Sequence, residues 1–291
     1  MSNIHKKKTT SKSRAPLATL KRAVAKKGSR KKQKPIDKYD LYFRSVQSPD
    51  SDAGFIDFAF KEIKGRKPWS VREDFCGTFA ISCEWVKAHP RNIGFGVDID
   101  AEPMEYGRQH YLSKLTQKQK DRLKLVQANV LNPDLPKVDV AIAVNFSYFI
   151  FKKREMMKAY FTNVYRNLKT DGLFICDVFG GSQCQDQITD VTKHKRFNYY
   201  WDQTGFDPIT HDALFYIHFK VGNKKIEKAF TYDWRMWTIP ELRDIMDEVG
   251  FKKTHVYWEG TTRSGQGNGI FSRTEKGESC ESWVAYIAAE K

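Results

Sequence analysis

The sequence predicts an α/β protein: a doubly wound, mostly parallel seven-stranded sheet with an antiparallel last strand and a β-hairpin insertion. Three observations point there. From Tyr39 onward short apolar runs alternate with amphipathic stretches, the pattern of strands joined by helices that cover both faces of a parallel sheet. Around residue 182 the period changes from helical to strict alternation, as in antiparallel strands. The chain then ends helix, strand, long loop, strand, which suits an antiparallel pair better than another crossover.

In chain order, strands are predicted at about 69–75 (WSVREDF), 93–99 (IGFGVDI), 123–130 (LKLVQANV), 138–144 (VDVAIAV) and 172–179 (GLFICDVF). The clearest helix spans 153–168: Met157, Tyr160, Phe161, Val164 and Leu168 form one apolar stripe, and Thr170-Asp171-Gly172 ends it. Residues 182–236 form the insertion. Within it Phe215, Ile217, Phe219 and Val221 alternate with polar neighbours, as do Ile226, Phe230, Tyr232 and Trp234, so a hairpin turns at Gly222-Asn223. The capping box Thr238-Ile-Pro-Glu241 opens a helix that Gly250 closes. Final strands at about 251–258 and 282–288 flank the glycine-rich loop GTTRSGQGNG.

The formal charge of +15 is concentrated at one end. Residues 1–38 hold 14 Lys and Arg against the single acid Asp37, while the rest of the chain holds 36 bases against 34 acids. With so many like charges and few large apolar side chains, residues 1–38 read as a disordered basic tail. Leu17, Leu20 and Val24 at helical spacing suit a short helix formed on an anionic partner, and a solubilising arm is the equal alternative. Residues 39–291 read as one folded domain. Five cysteines, Cys76, Cys83, Cys176, Cys184 and Cys280, show neither CxxC pairs nor zinc spacing, so no metal site is predicted. No stretch approaches the ~18 apolar residues of a membrane span, and a cytoplasmic protein is expected, with a nuclear or nucleolar place in a eukaryotic cell.

The chemistry-bearing residues recur at strand ends. Val71-Arg-Glu-Asp-Phe-Cys-Gly-Thr-Phe-Ala80 runs from a strand into a turn at Gly77 and Thr78, where backbone N–H groups and a helix N-terminus meet a ligand closely. About twenty residues on, a second strand ends in Gly96-Val-Asp98, and a carboxylate there accepts hydrogen bonds from ribose hydroxyls. Asn129 follows the third strand, able to pair with an adenine edge, and Asn145-Phe-Ser-Tyr148 follows the fourth. In an open α/β sheet these ends form one ligand rim.

The succession EDFCGT, GVDID, VQANV, AVNFSY, LKTDGLFICDVFGG resembles the motifs of class I S-adenosylmethionine-dependent methyltransferases over residues 69–181. The resemblance implies the Rossmann-like methyltransferase fold and S-adenosylmethionine as cofactor. It places Glu73, Phe75, Gly77 and Thr78 at the cofactor's amino-acid half, Asp98 with Ile99 at its ribose, Asn129 and Val130 at its adenine, and Asn145 nearby. The family's turn usually has three glycines; here Phe75 and Phe79 take the outer places. Tyr39 to Gln47 resembles the segment covering the cofactor, with Tyr42 or Arg44 near its carboxylate. Asn145 precedes Phe-Ser instead of the Pro-Pro associated with planar amide or base amine acceptors.

The aromatic insertion, with Phe197, Tyr199, Tyr200, Trp201, Phe206, Trp234, Arg235 and Trp237, is placed to roof the acceptor pocket. Tyr148, Tyr199, Trp201 and Arg235 are the candidates for acceptor contact, and no catalytic base is assigned. The acceptor is a small metabolite on the evidence of the insertion, or RNA or a ribosomal component on that of the tail. A nicotinamide-dependent oxidoreductase is the alternative enzyme, disfavoured by the absence of G-x-G-x-x-G. A non-catalytic RNA-binding module is the third reading. If the tail binds RNA it does so by counterion release at phosphates, so deleting residues 1–36 should weaken RNA retention at low salt and flatten its salt dependence. An unchanged salt slope in a filter-binding titration would leave the tail as a solubilising arm.

Overall fold

The computed structural model describes residues 36–263 and 265–291. The basic-tail expectation therefore falls, up to residue 35, outside the described residues. Two helices, α1 (Lys38–Val46) and α2 (Pro49–Lys64), lead into a strand and helix alternation: β1 (Ser70–Asp74), α3 (Ala80–Ala88), β2 (Ile93–Asp98), α4 (Ala101–His110), α5 (Gln117–Lys120), β3 (Leu123–Gln127), β4 (Val138–Ala143), α6 (Arg154–Arg166) and β5 (Leu168–Gly180). Then come β6 (Ile188–Lys193), β7 (Asn198–Phe206), β8 (Asp212–Val221) and β9 (Lys224–Arg235). The chain continues through α7 (Ile239–Val249), β10 (Lys253–Thr261), β11 (Gly267–Thr274) and β12 (Trp283–Glu290).

The main sheet has the order β11-β10-β12-β5-β4-β1-β2-β3. Its five first strands in sequence pair in parallel, and β12 inserts antiparallel between β5 and β10. The seven expected strands are present, and β11 adds an eighth at the edge. The glycine-rich loop concealed it because Gly267, Asn268 and Gly269 have little intrinsic strand preference; pairing with β10 and packing of Phe271 against Tyr286, 4.6 Å between ring centroids, create it. The insertion is likewise larger than a hairpin: β6 to β9 form a separate four-stranded antiparallel sheet. The run Tyr199-Tyr200-Trp201 hides the alternation of β7 because aromatic residues occupy both of its faces.

Side-chain chemistry explains the helices. The α6 stripe is buried as expected, with Met157, Tyr160, Phe161 and Val164 fully inside the core. The Thr238 hydroxyl accepts from the Glu241 N–H and the Glu241 carboxylate accepts from the Thr238 N–H, closing the capping box of α7; Gly250 ends it at φ 106°. Buried Leu242, Ile245 and Met246 anchor α7, each contributing ~1.5–3 kcal/mol. No helix among the described residues is long and apolar enough to cross a membrane.

Among the described residues, a charged pair lies fully inside the core. The Arg72 guanidinium donates to both oxygens of Asp74, at 2.7 and 3.1 Å, and to the Pro136 carbonyl at 3.1 Å, while the Tyr160 hydroxyl donates to Asp74 at 3.0 Å. This network fixes the end of β1. Arg72→Ala should cost ~3–5 kcal/mol because Asp74 is left buried without its counterion. Urea denaturation that shows a loss below about 1 kcal/mol would mean that the network carries little of the stability.

Candidate functional site

The turn after β1 keeps a left-handed, glycine-like backbone with a single glycine, Gly77. Phe75, Gly77 and Phe79 all have left-handed φ, at 57°, 49° and 49°. For a side chain with a Cβ that conformation costs ~1–2 kcal/mol, so something must hold it. The Phe79 ring is fully buried beneath α4, in space that Gly107 leaves open: a Cβ there would lie 2.5 Å from the ring and 2.3 Å from the Thr78 carbonyl. The Phe75 ring lies 5.5 Å from Tyr160 and 5.9 Å from Phe151. Both rings thus point into the core, and the sequence departure at the outer glycine places leaves the turn intact. Above Gly77 the space is open, with Pro103 Cβ at 4.0 Å the nearest atom to an added Cβ.

Asp98, at the end of β2, secures this turn. One carboxylate oxygen accepts from the Gly77 N–H at 2.7 Å and the other from the Asp100 N–H at 2.9 Å. A carboxylate has about four acceptor positions, so capacity remains for a hydroxyl donor. Ile99 beside it is exposed. The exposed Asn129 uses its carbonyl oxygen on the Leu131 N–H, and among the described residues none accepts from its NH2. Val130 is buried in the main core, so only its backbone is on offer at the rim. Thr78 is buried, and its hydroxyl has no hydrogen-bond partner among the described residues.

A second left-handed pair follows β4. Asn145 and Phe146 have φ 58° and 55°, and their N–H groups donate to the two oxygens of Asp177 at 2.6 and 2.9 Å. Sequence reasoning missed Asp177, although an acid inside the apolar run LFICDVF was a visible signal. It also missed Asp52 on α2, which accepts from the Tyr286 hydroxyl at 3.0 Å and carried no signal.

Four carboxyl groups therefore gather at the strand ends. Burial pushes Asp177 and Glu73 up to about 8 and Asp52 up to about 6, and it raises Asp98 as well. Glu73 accepts from the Ser82 N–H and hydroxyl at 2.8 and 2.6 Å, and it feels the charges of Asp52 and Asp98; Asp177 feels Asp52. Among the described residues no Lys or Arg forms an ion pair with any of the four.

Beside Asn145 a cavity of about 220 Å³ opens between α1, the strand ends and the second sheet. Tyr42, Asn145, Tyr199, Trp201, Tyr232 and Trp234 are among its walls, so Tyr199 and Trp201 stand where the insertion was expected to roof a pocket. Two expectations need correction. Tyr148 is fully buried and its hydroxyl donates to the Asp177 carbonyl at 2.7 Å, because the chain turns inward after Asn145. Arg235 lies outside the cavity, stacked 3.9 Å over Trp237 and donating to Glu241 and to the Lys152 carbonyl. Arg44 pairs with Asp40 on its own helix.

The buried acids make stability depend on pH. In the folded chain Asp177 and Glu73 hold protons up to about pH 8, whereas unfolded carboxyls release theirs near pH ~4. Folding therefore takes up protons between those values, and the contribution of these groups is full below pH ~4 and lost as pH rises through about 8. Thermal unfolding should give a lower Tm at pH 9 than at pH 6, with a smaller difference in Asp177→Asn. A Tm that rises across this interval would contradict the assignment.

No family model matches the sequence, and no curated protein matches it. Solved structures do match. A S-adenosylmethionine-dependent methyltransferase from Clostridium acetobutylicum superposes with TM-score 0.63 at 16% identity, covering 86% of this chain and 96% of the other. The CcbJ methyltransferase from Streptomyces caelestis gives 0.61 at 15% identity, with the same shares of 86% and 96%. An amino pentose methyltransferase from Micromonospora echinaspora, involved in calicheamicin biosynthesis, gives 0.58 at 12% identity over 86% and 96%. The fold is that of S-adenosylmethionine-dependent methyltransferases.

Proposed function

We propose that the protein transfers the methyl group of S-adenosylmethionine to an acceptor held in the aromatic cavity. The observation that carries this reading is the convergence of Asp52, Glu73, Asp98 and Asp177, unpaired with Lys or Arg among the described residues, on one rim of a methyltransferase fold. The site fits a cationic nucleoside: its carboxyl groups suit positive charge, and the orphaned Thr78 hydroxyl and the open space above Gly77 await a ligand. A nicotinamide dinucleotide fits poorly, since its anionic pyrophosphate would meet these acids with no described cation to neutralise it. The same charge opposes an RNA backbone at this rim.

When bound, S-adenosylmethionine supplies an electrophilic methyl group on a sulfonium. The protein's task is alignment and exclusion of water. Asp98, with Ile99 beside it, keeps acceptor capacity for a ribose hydroxyl, and the NH2 of Asn129 suits the adenine. Tyr42 on α1 and the rings of the second sheet close the cavity beside Asn145. The cavity's size suits a small molecule, in line with the amino pentose acceptor of the Micromonospora neighbour.

Calorimetry with S-adenosylhomocysteine and with NAD tests the reading: the first should bind and the second should not, and the reverse result would overturn it. Asp98→Ala should weaken S-adenosylhomocysteine binding by roughly 10- to 150-fold, the equivalent of ~1.5–3 kcal/mol for hydrogen bonds to a charged group. It should also lower Tm, because the Gly77 N–H loses its acceptor.

A further inference from the structure

The cavity beside Asn145 combines aromatic faces with negative charge. Tyr232 and Trp234, two residues apart on β9, stack at 4.4 Å between centroids, and Trp201 on β7 lies 6.0 and 6.3 Å from them, so the three rings form one wall. Asp190 on β6 stands exposed at the mouth and forms no ion pair with a described residue. None of the described residues lining the cavity is Lys, Arg or His.

We propose that the acceptor is a small aliphatic amine, held with its nitrogen beside the wall of Trp201, Tyr232 and Trp234 and with Asp190 at the entrance. This rests on the methyl-transfer reading above. In the transfer, the lone pair of the free amine attacks the methyl carbon of S-adenosylmethionine. The N–C bond forms as the C–S bond breaks, its electron pair stays on sulfur as a neutral thioether, and the new ammonium releases its proton to solvent water. One positive charge thus moves from sulfur to nitrogen. Ring faces within ~6 Å attract such a charge, whereas a lysine or arginine in the wall would repel it.

The same wall disfavours other acceptors. A hydroxyl must lose its proton to become a good nucleophile, and the described lining offers no histidine. Burial pushes Tyr42 up to about 12 and raises Tyr199 and Tyr232 too, so these phenols stay neutral and do not serve as bases at neutral pH. A nucleotide would bring phosphate into a cavity without a cation. An amine in its free-base form needs neither.

The test uses the full chain with S-adenosylhomocysteine bound and compares choline with its neutral isostere 3,3-dimethylbutan-1-ol by calorimetry. Choline should bind about tenfold more tightly or better. Trp234→Leu should reduce choline affinity by about two- to thirtyfold and the exposed Asp190→Asn by a smaller factor, with S-adenosylhomocysteine affinity retained in both. Retained S-adenosylhomocysteine binding with equal affinity for the two probes, or with preference for adenosine monophosphate, would overturn the amine assignment alone. Failure to bind S-adenosylhomocysteine would overturn the methyl-transfer reading itself.

Discussion

Four residues that carry side chains are held in left-handed backbone at the ends of two neighbouring parallel strands, and the rest of the site depends on that constraint. Phe75 and Phe79 close the turn after β1; Asn145 and Phe146 close the one after β4. For the three phenylalanines that conformation is unfavourable by ~1–2 kcal/mol in isolation. Core packing of the two β1-turn rings and the carboxyl groups of Asp98 and Asp177 offset that cost, since each carboxyl accepts backbone N–H groups from a turn. These acids are therefore structural anchors and sources of field at once. Anchoring the turns places these carboxyl groups at the strand ends, where burial raises them toward neutrality.

The two sheets differ in what they present. The parallel strands carry turns, acids and amides at their ends; the antiparallel sheet carries the rings that line the cavity. Helix α1 touches both. Tyr39 lies 5.0 Å from Tyr106 on α4 and 5.8 Å from Phe230 on β9, and its hydroxyl donates to Glu102 at 3.0 Å. Lys38 reinforces that contact through an ion pair with Glu102 at 2.8 Å. Tyr42, one turn further on, enters the cavity wall. The cover over the strand ends is thus pinned both to α4, which follows Asp98, and to the sheet that carries the rings of the cavity.

What the sequence determined by itself was whatever local chemistry specifies. Strands β1 to β5 are short apolar runs, α6 has one apolar stripe, α7 has both caps, and the glycine and acid at successive strand ends mark the rim; none of these needs a distant partner to be legible. The tertiary structure decided what depends on pairing or burial. Strand β11 exists because an edge of β10 was available to a glycine-rich segment. Tyr148 and Tyr199 look alike in sequence, yet the inward turn after Asn145 buries one and the second sheet presents the other. Asp52 looks ordinary until packing removes its water and leaves it unpaired with Lys or Arg, because desolvation is a property of the surroundings and not of the residue.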